Sequence, residues 1–212
     1  SFLSLLEGKS ETHPRTEIFS GRERHSSSRF NTLGYPQRCI RTEHYLYVRN
    51  FKPERWPAGA SRKFDLVSYR NDGTFSGQLG PDHGGYHDID ACPSLSFLID
   101  HHDHPEYGRY LRLAVAKRPA EELFEIRTDP GCIRNLAFEP AHAETRTTLR
   151  QQLMDHLEAT GDARITGDGD VWESYPRVSK LRWFEVPDWA DANPSSVPVQ
   201  DWVEARRPRS EE

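Results

Sequence analysis

The sequence predicts a loop-rich α+β fold, and three stretches carry that prediction. Across Glu121–Arg127 the apolar Leu123, Phe124 and Ile126 sit among charges, and Asp129-Pro130-Gly131 then forces a turn, so a strand hands over to helix. Cys39–Thr42 and Tyr45–Phe51, rich in Tyr, Val and Ile and separated by Glu43-His44, read as a β-hairpin. Pro140–Thr160 carries Leu149, Leu153, Met154 and Leu157 at helical spacing, and Gly161 supplies its stop.

The remaining elements follow in order. Phe2, Leu3, Leu5 and Leu6 lie on one side of a short helical turn that Gly8 ends. After a loop containing Pro14, Thr16–Phe19 reads as a strand running into Gly21-Arg22-Glu23-Arg24-His25, and Ser26-Ser27-Ser28 forms a loop tip. The turn of the hairpin lacks the Asn-Gly pair that best fixes register. Pro53–Gly59, with Trp56, closes the second hairpin strand. Residues 61–88 are irregular, with Gly at 73, 77, 80, 84 and 85, and a loop of that length is usually functional or leans on another surface. Pro93 opens a helix carrying Leu95, Leu98 and Ile99, and Pro105 starts a second through Tyr107, Tyr110, Leu111 and Ala114. From Asp162 the chain turns extended and rich in Trp (Trp172, Trp183, Trp189, Trp202), and Arg206–Glu212 is a frayed end.

A chain of 212 residues can bury one substantial core, so the expected organisation is one domain, or one domain with an extended tail. Only 35% of residues are apolar, against 29% charged, which predicts a loop-rich unit that needs cover from another surface. The net charge of −5 provides no basic excess for nucleic acid. Cys39, Cys92 and Cys132 are odd in number and lack CxxC spacing, so neither a disulfide framework nor a zinc knuckle is indicated. No apolar run approaches the ~18 residues of a membrane span, and no signal peptide opens the sequence. The chain starts at Ser1 and its one methionine is Met154, so further sequence is expected upstream and the compartment stays open.

The run Arg118-Pro119-Ala120-Glu121-Glu122-Leu123-Phe124-Glu125-Ile126, continuing through Asp129-Pro130 to Asn135-Leu136-Ala137, resembles a run near the C-terminus of many type I sulfatases, just before their last long helix. Ser1–Leu6, Gly21–His25, Tyr35-Pro36-Gln37-Arg38 with Ile40-Arg41-Thr42, Arg49-Asn50-Phe51 leading to Arg55-Trp56-Pro57, and Asp88-Ile89-Asp90-Ala91 extend the likeness, in the family's order, to about residue 184. Together they look like the C-terminal part of a sulfamidase (heparan N-sulfatase) type of enzyme. That resemblance implies a small antiparallel β-sheet packed by a long C-terminal helix, as in the C-terminal subdomain of the alkaline phosphatase-like superfamily, attached to a larger N-terminal α/β domain; it covers a domain over 1–184 and leaves 185–212 as an extended tail. It also implies that calcium and a formylglycine nucleophile, made from a Cys or Ser in C-x-P-S-R, belong to that N-terminal domain. Here Cys92-Pro93-Ser94-Leu95 departs from the motif, with no residue between Cys and Pro and no Arg following. No catalytic residue, metal site or cofactor is therefore expected in this chain, and the chain alone is expected to be inactive. Its expected partners are the N-terminal sulfatase domain and a sulfated carbohydrate, with the sulfate N-linked or O-linked.

Glu23 and His25 are the candidate substrate-binding residues. Alternate residues of an extended strand end share a face, so a carboxylate and an imidazole aimed into a cleft can hydrogen-bond sugar hydroxyls or a sulfamate nitrogen. The alternative is a solvated strand end, and the resemblance favours substrate contact. Asp82, His83, His87, Asp88 and Asp90, with Asp100-His101-His102-Asp103-His104, offer metal-ligand side chains, but a polar loop and helix end account for them without HExxH spacing. Arg38 and Arg41, three apart on a strand, point to opposite faces and read as separate structural ion pairs. The Leu149–Leu157 stripe reads as packing against the sheet more readily than as a partner surface. A second function class stays open beside the sulfatase reading: a free-standing, non-catalytic module binding carbohydrate or protein through its aromatic tail.

Overall fold

The computed structural model describes residues 3–9, 15–25, 29, 33–59, 86–90 and 92–175. The chain divides into two compact units, each assembled from separated stretches of sequence. The first comprises Ser1–Gly21, Gln37–Arg49 and Glu121–Gly161, and the second Arg22–Pro36, Asn50–Ala120 and Asp162–Glu212.

The first unit carries the expected antiparallel sheet, built from β1 (Ile18–Arg22), β2 (Gln37–Arg41), β3 (Tyr45–Asn50) and β4 (Glu121–Glu125) in the order β1-β2-β3-β4. Thr42 closes the β2–β3 hairpin where Asn-Gly is lacking. Its N–H donates to Tyr45 O at 2.9 Å, and its Oγ1 accepts from Tyr45 N at 3.0 Å, a hydroxyl doing the work of a turn dipeptide. Strand β3 pairs with β4 so that Tyr45 faces Glu125, Tyr47 faces Leu123 and Arg49 faces Glu121. Strand β1 lies further along the chain than Thr16–Phe19, and its Gly21 permits the close approach of Arg38, whose Cδ would stand 2.7 Å from a Cβ there.

A 3-10 turn (Pro140–His142) leads into the long helix Ala143–Ala159. Leu149, Leu153 and Leu157 are buried, and the helix packs on β2, so the stripe read in the sequence is core. Gly161 adopts φ +67°, as a helix stop of this kind requires. Between β4 and that turn the chain has no helix: it is held by two side chains. Asp129 accepts the N–H groups of Ile133 and Arg134 at 3.0 and 2.8 Å, fixing the turn after β4. Asn135 then lays the returning chain beside β4, accepting from Leu123 N and Ala137 N and donating to Glu121 O.

In the second unit, helices Pro93–Asp100 and Gly108–Val115 pack together around Ala58, Tyr86, Leu95, Ile99, Leu111 and Val115. Gly108 is required where they meet, because a Cβ would stand 2.3 Å from His102 O. Over the described residues 162–175 the chain is helical rather than extended as its composition suggests. Asp162 Oδ1 accepts Arg164 N at 2.9 Å and caps the short helix Ala163–Thr166, and a second, Val171–Ser174, follows. The 1–184 boundary, the tail over 185–212, Trp183, Trp189 and Trp202, and most of the Gly-rich loop, with Asp82 and His83, lie outside the described residues.

Candidate functional site

Both candidate residues belong to the second unit, at the end of the stretch that leaves β1. Backbone contact fixes this stretch first: Tyr35 N donates to Glu23 O at 2.8 Å, and a Cβ on Gly34 would meet that same oxygen at 2.7 Å. The two side chains then take different partners.

Glu23 is held within the unit. Arg164 clasps its carboxylate with Nε at 3.1 and 3.2 Å and Nη2 at 2.6 Å. The same guanidinium reaches Asp170 Oδ1 at 3.1 Å, and Asp170 also pairs with Lys52 Nζ at 3.1 Å. Burial works against the charge on Arg164, but hydrogen bonding and attraction from Glu23, with Glu173 and Asp170 adding to it, outweigh burial and raise its pKa above the ordinary arginine value. For Asp170, burial pushes upward, whereas Lys52 and Arg164 together hold its carboxyl below the usual range. Glu173 is the buried carboxylate nearby. Arg55 Nη1 donates to it at 2.6 Å, Gly34 N at 3.0 Å, and Arg24 Nη2 lies 3.5 Å away.

His25 faces the other way. Its side chain is 69% exposed, and its Nδ1 lies 3.2 Å from Oδ1 of Asp88, whose side chain is only 5% exposed. Behind Asp88 stands Arg29, with Nη2 at 2.7 Å from Oδ2 and a side chain 3% exposed. Arg29 is itself held by the carbonyls of Trp56, at 3.1 Å, and Pro57. Burial lowers the Arg29 pKa from its ordinary value, and Asp88 works against that fall. An exposed imidazole is thus tied through one ring nitrogen to a buried acid, which is tied to a buried base. Asp88, Arg29 and Arg164 carry no local signal as site residues, because they meet their partners from 63, 59 and 141 positions away.

Of the other candidate ligands, His101 and His104 have local structural partners. His101 Nδ1 bonds Phe97 O at 2.8 Å while its ring stacks on Phe97, and His104 Nδ1 accepts from the backbone of Glu106 and Tyr107. Among the described residues no group of three or more His, Cys, Asp or Glu side chains is placed to hold a metal ion. Cys92 precedes the helix Pro93–Asp100 without capping it through its side chain. Burial pushes the Cys39 and Cys132 thiols up, away from the nucleophilic thiolate. Arg38 is buried and Arg41 exposed, as opposite faces of β2 require. Among the described residues no helix is long and apolar enough to cross a membrane.

The fold and site define an α+β protein with an exposed, acid-backed histidine. No family model matches the chain, and no curated protein matches it.

Proposed function

We propose that this chain is the C-terminal portion of a sulfatase of the sulfamidase type, contributing pocket shape and substrate contacts to an enzyme that removes sulfate from a sulfated sugar. In this reading the nucleophile and calcium belong to an N-terminal domain, and His25 is the contact this chain offers. The observation that carries it is the exposure of His25 combined with its fixed orientation. A solvated histidine needs no buried acid behind it, whereas an imidazole that must meet a ligand at one angle gains from one. The sequence run ending in Asn135-Leu136-Ala137 supplies the chemical class.

Two measurements test the reading. The reading frame upstream of Ser1 is expected to encode C-x-P-S-R within a large α/β domain. The 212-residue chain by itself is expected to release no sulfate from 4-nitrophenyl sulfate or N-sulfoglucosamine, with or without calcium. Calcium-dependent turnover by the chain alone would place the chemistry here and end the proposal.

A further inference from the structure

We infer that Asp88 and Arg29 are positioning residues that select the Nδ1–H tautomer of His25 whenever its ring is neutral, so that Nε2 then presents a lone pair and accepts a hydrogen bond from a ligand hydroxyl or N–H. This rests on the reading of His25 as a substrate contact and specifies its chemistry.

The inference follows from donor and acceptor accounting. An ionised carboxylate only accepts, so the Nδ1 facing Asp88 Oδ1 at 3.2 Å must carry the proton. A neutral imidazole has one N–H, so Nε2 is left as an acceptor. The other oxygen of Asp88 accepts from Arg29 Nη2 at 2.7 Å, and a carboxylate paired with a guanidinium acts as an acceptor through both oxygens. Arg29 cannot swing away, since Trp56 O and Pro57 O hold it from behind. The pair therefore fixes both the tautomer and the direction of the ring, as second partners of functional histidines do. The group that meets Nε2 must be a donor: a sugar hydroxyl or a sulfamate N–H qualifies, whereas an ionised sulfate oxygen, which only accepts, does not.

The tautomer can be read directly. The chain is isotope-labelled at its histidine nitrogens and its two-bond proton–nitrogen correlations are recorded at a pH of about 8, where imidazole is neutral. His25 is assigned by its absence from the spectrum of His25→Gln. The expected pattern is protonated Nδ1 and bare Nε2 in the wild type, with Asp88→Asn moving the population toward the opposite tautomer, because an amide can donate to Nδ1 where a carboxylate cannot. Bare Nδ1 in the wild type overturns the inference. If Asp88→Asn fails to fold, the wild-type pattern decides alone.

In the full-length enzyme, Asp88→Asn and His25→Ala are each expected to lower kcat/KM about tenfold, the worth of one hydrogen bond. The double variant should lose no more than either single one, since both changes remove the same contact. Additive losses would mean that Asp88 does not act through His25. A protonated Nδ1 together with full activity of His25→Ala would leave the Asp88–His25 pair standing and remove the substrate-contact reading beneath it.

Discussion

Asn135 Oδ1 accepts the backbone N–H of Leu123 at 2.9 Å, so a side chain takes the place of a neighbouring strand beside β4. The same amide accepts from Ala137 N at 3.0 Å and donates to Glu121 O at 3.2 Å, and Leu136 N adds a backbone bond to Leu123 O at 2.8 Å. Leu123 is fully buried, and its N–H has no access to water if that partner goes. Asn135→Ala is therefore expected to destabilise the chain by about 2–3 kcal/mol, read from the urea midpoint at unchanged slope. A loss below about 0.5 kcal/mol would show that the Asn135 bonds are not needed to hold this edge.

Glu173 and Arg55 make a tighter case. Both side chains are almost wholly buried, they meet at 2.6 Å, and Gly34 N completes the carboxylate. Glu173→Ala leaves a buried guanidinium uncompensated, at a cost of about 3–5 kcal/mol. Because the pair is shielded from solvent, the destabilisation should be nearly the same at low and high salt. A strong salt dependence would show that water reaches the pair.

These two contacts mark what sequence could and could not reveal. The Leu149–Leu157 stripe and the Tyr-rich hairpin are local patterns, with the information within a few turns or residues, and both elements stand where the pattern puts them. Over 162–175 composition misleads, because the structure there comes from an Asp162 cap and from Arg164 and Glu173 reaching Glu23 and Arg55 across 141 and 118 positions. The exposed His25 could be named from the chain, but its acid could not: Asp88 sits 63 positions on, amid other His and Asp residues with nothing to single it out.

Acid should weaken the second unit through Asp170. Lys52 and Arg164 depress its folded pKa, so its contribution is full above the unfolded Asp value of about 3.9 and is lost as pH falls through the lower folded value. Urea midpoints measured downward from a pH of about 5 should fall, and Asp170→Asn should flatten that slope. An unchanged slope would remove Asp170 from the acid response.

Alkali should act on the first unit through Tyr47, whose hydroxyl donates to Glu121 at 2.7 Å. Burial, then Glu121, raise its folded pKa, so its contribution is present below the unfolded value of about 10 and is lost as pH rises. Tyr47→Phe should reduce the alkaline loss of stability, and an identical alkaline profile would contradict it.

Large apolar side chains stand exposed in the first unit: Leu3 at 56%, Leu6 at 83%, Ile18 at 56% and Phe138 at 66%. If the chain is part of a larger enzyme as proposed, such surface is where the missing domain would rest, and the isolated chain should bind a hydrophobic dye or self-associate. Leu3→Ser with Leu6→Ser should reduce the dye signal while leaving the urea midpoint within about 0.5 kcal/mol, since exposed side chains contribute little to stability. A dye-silent, monodisperse wild type would count against the missing-domain reading.

His25 separates binding from turnover. With its side chain 69% exposed and its ring held by Asp88, His25→Ala should change stability by no more than about 0.5 kcal/mol. If the chain is part of a sulfatase as proposed, the effect of His25→Ala on the full-length protein then reports the ligand alone. If the Nε2 contact forms only in the transition state, kcat and kcat/KM fall together; if it holds the substrate equally in ground and transition states, KM rises and kcat stays. Steady-state kinetics on the natural sulfated sugar and on 4-nitrophenyl sulfate distinguish a sugar contact from a sulfate contact. A loss confined to the sugar substrate is expected, because 4-nitrophenyl sulfate lacks the hydroxyl or N–H donor that Nε2 would accept. Equal losses on both substrates would instead move His25 toward the sulfate group and away from the donor assigned to it.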